Sequence, residues 1–274
     1  MMKIPRPRAP LPIVLVGWGA IARRLAELLQ DRATPVQLRG VATRRAPTAD
    51  TGLPPDVPWL PGPEALGGVE ADLVIEAAGR EAVEPWGHVV LRSGRRFIIT
   101  STSALCEDGV LDRLTESALE GGGQILIPSG ALAAVDALAA ASVLPLDCVN
   151  HRIVKPPRAW IGTPAETMVD LSDLAEAHTF FEGSAREAAS RFPANANVAA
   201  ISALAGIGLD RTRVELVADP QATRNGHRLE ATGAFGKLVA QVENRPLATN
   251  PKSSELTALA LVRLVENQCG PIAL

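Results

Sequence analysis

Apolar positions in the first half of the chain fall into short continuous runs, each followed by a stretch with helical spacing. Ile13-Val14-Leu15-Val16 is the first run, free of polar residues as a strand buried on both faces should be. After it, Ile21, Leu25, Leu28 and Leu29 fall on one helical face, with Arg23, Arg24 and Glu27 elsewhere. Further strands are predicted over 36–43, 72–75, 97–100 and 124–127, with helices over 83–91 and 111–119 separating the later ones. Repeated βαβ units imply a parallel sheet with right-handed crossovers. Residues 50–68 are rich in proline and glycine, which predicts a loop with at most one short element.

The pattern changes in the second half. Helices are predicted over 131–142 and 256–265, and strands over 149–155, 178–181, 212–217, 228–235 and 237–242. Antiparallel strands clustered with helices suggest an α+β arrangement. The expected division is a first domain over 1–128, a second over 129–249, and a C-terminal helix within 250–274 that returns to the first. The fold class is therefore α/β: an N-terminal Rossmann-type dinucleotide-binding domain with a second α+β domain for substrate and dimerisation.

Composition narrows the partners. The 274 residues are 47% hydrophobic and 21% charged, an ordinary globular balance with room for a substantial core. A net charge of −3 gives no electrostatic case for nucleic acid or an anionic membrane surface. Cys106, Cys148 and Cys269 are far apart and form no CxxC pair, which points to reduced thiols and a cytoplasmic setting. The basic, proline-rich start lacks the features of a signal peptide. The apolar region 130–146 is interrupted by Asp136 and Pro145 and is too weakly hydrophobic to span a bilayer. Histidines and carboxylates do not fall at metal-ligand spacings, so no metal is expected.

Gly17-Trp18-Gly19-Ala20-Ile21-Ala22 fits the G-x-G-x-x-A form of the dinucleotide-binding motif, in the strand-to-helix context that the motif needs. Gly17 permits the tight turn, Gly19 lets the backbone approach a pyrophosphate, and the helix N-terminus at Ala20 and Ile21 meets its charge. The second strand ends in Thr43-Arg44-Arg45 where an acidic residue would grip the ribose of NAD. Arg44 and Arg45 could receive a 2′-phosphate, so both NAD and NADP are expected as cofactors; a merely solvated loop is the alternative. Ala77-Ala78-Gly79 closes the third strand with small residues that leave space for the dinucleotide. Glu76, just before them, could be a structural carboxylate.

Several strings of the second half resemble the L-aspartate dehydrogenase family. They are Ile127-Pro128-Ser129-Gly130-Ala131, Lys155-Pro156-Pro157, Phe180-Phe181-Glu182-Gly183-Ser184-Ala185, Phe192-Pro193-Ala194-Asn195-Ala196-Asn197-Val198-Ala199, Asp219-Pro220, Asn225-Gly226-His227 and Asn250-Pro251-Lys252-Ser253. The resemblance implies NAD(P)-dependent oxidation of L-aspartate to iminosuccinate, and reductive amination of oxaloacetate with ammonia in reverse. It also implies a homodimer and a contribution to pyridine nucleotide biosynthesis. Ala131 and Asn197 match family cofactor-binding positions, and His227 matches the family's catalytic histidine.

From the residues alone, Asn197 at the start of an alanine-rich helix could equally be an N-cap. Ser129-Gly130-Ala131 sits where a strand should meet a helix, with backbone N–H groups available to a ligand. Of the four histidines, His88 reads as a surface or packing residue, and His151 and His178 could be satisfied core residues. His227 is expected at a loop-to-strand junction, accessible as a general base. A substrate with two carboxylates calls for cationic or amide donors, so Ser129, Lys155, Asn195 and Lys252 are candidate substrate contacts. Two other readings stay open: a dehydrogenase of another small dicarboxylic or amino-acid substrate, and a non-catalytic NAD(P)-binding sensor.

Overall fold

A computed structural model describes residues 9–193 and 196–273 of the chain. In chain order the first elements are β1 (Leu11–Val16), α1 (Ala20–Asp31), β2 (Val36–Ala42), β3 (Trp59–Leu60), β4 (Leu73–Glu76), α2 (Arg80–Arg92), β5 (Arg96–Ile99), α3 (Val110–Gly121) and β6 (Gln124–Leu126). The continuation is α4 (Val135–Ala141), β7 (Leu146–Lys155), β8 (His178–Ser184), α5 (Ala185–Arg191), α6 (Ala196–Ala205), β9 (Arg213–Ala218), β10 (Asn225–Gly233), β11 (Gly236–Asn244), β12 (Pro246–Leu247), β13 (Asn250–Ser254) and α7 (Glu255–Cys269). The chain forms two compact units. One takes in the described residues of Met1–Ser101, Asp112–Pro128 and Ala258–Leu274, and the other those of Thr102–Leu111 and Ser129–Thr257. The expected division differs in two places: 102–111 clusters with the second unit, and so does 250–257.

The first unit is built on a six-stranded, all-parallel sheet in the order β3-β2-β1-β4-β5-β6. The strand order reverses direction between β1 and β4, which opens a crevice at their carboxyl ends. Strands in such a sheet are covered on both faces, which is why they read as unbroken apolar runs. Ile13, Leu15, Leu73, Ile75 and Ile98 form one core with Leu25 and Leu29 of α1 and with Leu261, Val262 and Val265 of α7. Arg32 and Thr34 tie α7 down through Glu266, at 2.7 and 3.0 Å from the guanidinium and 3.0 Å from the hydroxyl. Residues 50–68 hold more structure than expected: β3 and two 3-10 turns, at Ala49–Thr51 and Pro63–Gly68.

The second unit carries a five-stranded sheet in the order β11-β10-β7-β9-β8. It is mixed rather than antiparallel, because β7 and β9 run parallel while the other neighbours run antiparallel. One core gathers Trp160, Phe180, Phe181 and Phe192 with the alanines of α5 and α6. The rings meet edge to face, with centroids 4.8–5.8 Å apart. Helix α6 buries Ala196, Ala199, Ala200, Ile201, Ser202 and Ala203, so its small residues let neighbours close in from nearly every side. Ser184 and Glu187 form a reciprocal capping box that starts α5.

The helix expected over 131–142 begins only at Val135. Ala134 takes a left-handed conformation, φ 57°, and Asn244 Nδ2 holds the Ala131 carbonyl at 2.9 Å, so 129–134 is a pinned turn instead. No helix of the described residues is long and apolar enough to cross a membrane.

Candidate active site

In the first unit, β1 runs into a turn that only glycine can make. Gly17 has φ 101°, and a Cβ there would stand 2.6 Å from the Ala77 carbonyl oxygen. Gly19 is different: a Cβ on it would meet nothing within 4 Å. It sits at the N-terminus of α1, where Ala20 and Ile21 offer backbone N–H groups that no carbonyl of the preceding turn can accept. A cleft of about 300 Å³ opens beside it, lined by Gly17, Trp18, Gly19, Thr43, Arg44, Ala78 and Trp86 among others. Free space over a glycine, at a helix N-terminus and on the switch point of a parallel sheet, fits the pyrophosphate of a dinucleotide. Arg44 is exposed at the edge of this cleft, 3.8 Å from the equally exposed carboxylate of Glu81.

Glu76 is fully buried and structural. It accepts from the backbone N–H groups of Ala78 and Gly79 at 2.8 Å, and from the N–H and hydroxyl of Ser101 at 2.9 Å. Four donors satisfy the carboxylate and join the ends of β4 and β5. They also occupy the Ala78 N–H, so Ala78 serves the cleft by its small side chain.

In the second unit, the alternation of strand side chains collects a polar group on one face of the sheet. His151, Ile153 and Lys155 share a face of β7, and His227 on β10 pairs with Ile153 in register. His227 is therefore flanked diagonally by His151 and Lys155. His151 Nε2 lies 3.3 Å from His227 Nδ1, and His151 Nδ1 lies 3.0 Å from Ser202 Oγ of α6. Burial pushes the His151 imidazole down to about 4. It also holds His227 well below 6.5, with the neighbouring His151 and Lys155 adding to the effect. The Lys155 ammonium stands 5.0 Å over the ring of buried Trp160, and burial lowers its pKa to about 8.

His227 thus lies inside β10 as its third residue, buried, and not at an accessible junction, because the strand begins at Asn225, three residues earlier than expected. His178 is exposed at the start of β8. His88 sits on α2, 2.7 Å from the Ser117 hydroxyl. Asn197 is not an N-cap: it lies within α6, and its Oδ1 accepts from the N–H of Ser103 at 2.9 Å while its carbonyl accepts from the Thr102 hydroxyl. Ser129 is half-buried in the turn that Gly130, φ 60°, makes possible. Lys252 is exposed on β13 of the small β12–β13 sheet, not on the five-stranded sheet that carries Lys155 and His227. Asn195 lies outside the described residues. Among the described residues no three metal-ligating side chains cluster.

Comparison with known proteins follows the same division. Residues 136–268 match the family model for the C-terminal part of aspartate dehydrogenase, and residues 17–128 match that for the NAD-binding domain of homoserine dehydrogenase. An L-aspartate dehydrogenase from Brucella anthropi is 51% identical over 256 residues, covering 93% of this chain and 96% of that one. Another from Pseudomonas aeruginosa is 41% identical and covers 96% and 100%. The chain belongs to the L-aspartate dehydrogenase family. The crystal structure of an aspartate dehydrogenase from Thermotoga maritima superposes with a TM-score of 0.77 at 25% identity, covering 96% of this chain and 99% of that one. The NAD-binding domain and the family together make the cofactor NAD or NADP. Taken one at a time in the sequence of this member of the aspartate dehydrogenase family, His151 reads as a satisfied core residue and His227 as a base, with nothing to join them. The signal that could have joined them is the two-residue alternation that puts His151 and Lys155 on one face of β7.

Proposed function

We propose that the chain oxidises L-aspartate at its CH–NH2 group with NAD(P)+ to iminosuccinate, which water converts to oxaloacetate and ammonia, and that it runs the reverse amination. The observation that carries this reading is 51% identity to an L-aspartate dehydrogenase across nearly the whole chain. The histidine and lysine face of the second unit suits it chemically. When bound, the dinucleotide supplies the hydride acceptor of the oxidation. Gly17, Gly19, Ala20, Ile21, Arg44 and Ala78 hold it in the first unit, and Ala131 and Asn197 are assigned to it by the family resemblance.

His227 removes a proton from the substrate ammonium, which frees the nitrogen lone pair to expel the Cα hydrogen as hydride. The same imidazole then assists attack of water on the imine carbon. Lys155 meets a substrate carboxylate, and a dianionic ligand favours its charged form against the burial that lowers its pKa. Ser129, Asn195 and Lys252 are further substrate contacts on this reading. The test is nicotinamide absorbance with purified protein: L-aspartate with NAD+ or NADP+, and oxaloacetate with ammonia in reverse. Cofactor binding without turnover on aspartate would sink the assignment and favour a sensor.

We also place the chain as a cytoplasmic homodimer, on the family resemblance and on three cysteines far apart in the sequence that form no CxxC pair. Light scattering is expected to read a two-chain particle.

Use of NADP rests on Arg44 and Arg45. Alanine at both is expected to weaken NADP(H) about five- to tenfold while NAD(H) changes little, the modest size reflecting how exposed Arg44 is. Parallel titrations with both cofactors check it, and equal losses would overturn it.

A further inference from the structure

His151 is a buried histidine to which the mechanism above gives no part. Its ring stands between α6 and β10, 5.5 Å from the His227 ring and tilted 50° to it. Ser202 Oγ, on the seventh residue of α6, lies 3.0 Å from the Ala199 carbonyl as well as 3.0 Å from His151 Nδ1. Each member of this row sits on a regular element, so the row is built in rather than borrowed from a loop.

With the Ser202 hydroxyl donated to the Ala199 carbonyl, the rest of the row has one polarity. A carbonyl only accepts, so the single hydroxyl proton of Ser202 goes to Ala199. Ser202 Oγ must then accept from His151, which puts the His151 proton on Nδ1. A neutral imidazole carries one N–H, so His151 Nε2 is a bare acceptor. At 3.3 Å from it, His227 Nδ1 donates. We propose that Ser202 and His151 position His227, fixing its proton on Nδ1 and turning the lone pair of Nε2 toward the substrate. The inference rests on the reading of His227 as the general base. Were the Ser202 hydroxyl turned to His151 instead, every bond in the row would reverse, and His227 would present Nε2–H, which cannot take a proton.

The row also survives the reaction. When the substrate ammonium gives its proton to His227 Nε2, the bond from Nδ1 to His151 is kept, and the imidazolium later loses that proton to water. His151 stays neutral throughout, since burial holds its pKa near 4. A neutral partner orients the base without adding a negative charge beside it, unlike the carboxylate of a Ser-His-Asp triad. The titratable groups acting on His227 are His151 and Lys155, both of β7. Helix α6 brings the uncharged Ser202 to the row, and β11 sets Val242 opposite His227.

The experiment reads imidazole nitrogen shifts of the 15N-labelled full chain beside kcat and KM with saturating NAD+. Wild-type His227 is expected to show a protonated Nδ1 and an unprotonated Nε2 near neutral pH. His151→Leu removes the acceptor. It should lower kcat about 10- to 100-fold, the usual scale for losing a group that orients a functional histidine, with KM for aspartate within a few-fold. The His227 proton should move toward Nε2. His151→Gln, whose side-chain oxygen can accept, should restore both the tautomer and most of kcat. Ser202→Ala should give an intermediate loss, and it carries the test if His151→Leu does not fold. Wild-type His227 with its proton on Nε2, or wild-type kcat in either His151→Leu or Ser202→Ala, would overturn the proposal. An active His227→Ala would instead remove the base itself, a failure visible separately because the tautomer of wild-type His227 is read without turnover.

Discussion

His227→Ala is expected to lower turnover of L-aspartate about 10²–10⁴-fold, the contribution of a positioned acid–base group. NAD(P) affinity should hardly change, since the contacts proposed for the dinucleotide, in the Gly17 turn and at Arg44, Ala78, Ala131 and Asn197, do not include His227. His227→Asn keeps hydrogen-bonding capacity but cannot titrate usefully, so it should be nearly as slow. The pH profile follows from the environment of the ring. Burial, His151 and Lys155 all disfavour the imidazolium, so the His227 pKa lies below the ordinary 6.5. The base is the neutral form, hence kcat/KM for oxidation should be lost as pH falls through a value below 6.5 and be unaffected by this group above it. Lys155 sets the other limb: in the free enzyme it loses its charge as pH rises through about 8, and aspartate binding should weaken there. Turnover of His227→Ala within a few-fold of wild type would take the residue out of the mechanism.

Gly19→Val should abolish binding of both cofactors without unfolding the protein, a drop of about a hundredfold or more in affinity. The space over Gly19 is open, and its φ of −81° is one that any residue adopts. A valine there therefore costs the apo fold little beyond a weak helix start, about 1 kcal/mol. Its side chain would occupy the path of the pyrophosphate. Gly17→Val is the contrasting case. There the left-handed φ and the Ala77 backbone at 2.6 Å leave no room, so the loss should appear as a lowered melting temperature. Calorimetric titration beside thermal melts separates the two. A Gly19→Val protein that binds NAD+ within a few-fold of wild type would show that the dinucleotide does not pass over this glycine.

The parallel sheet was legible because its strands are covered on both faces, so β1, β4 and β5 stand out as apolar runs bounded by turns. The Gly17 turn was legible for the same local reason. What escaped was decided by contacts remote in sequence. The late start of α4 follows from Asn244 gripping Ala131, 113 positions away, and nothing near Ala131 signals it. The parallel pairing of β7 with β9 depends on chain routing through α5 and α6, which periodicity does not encode. Strand β3 has two residues, too few to leave a pattern. His227 was expected at a strand edge but lies inside β10, and its bond to His151 spans 76 residues. That pairing depends on register, Leu229 opposite His151 and His227 opposite Ile153, and register appears only when the sheet is assembled.

Helix α7 gives the protein an unusual order of assembly. Leu261, Val262 and Val265 belong to the same core as β1 and α1, and Glu266 closes on Arg32 and Thr34. A ribosome makes β1 well before α7, so the nascent dinucleotide-binding unit lacks one wall of its core until α7 has followed. Its apolar sheet face stays open while the whole second unit is made, a window in which a chaperone or a misplaced strand can bind it. Closure of the β1 and α1 core waits on α7, which ties that part of the fold to residues more than 200 positions downstream.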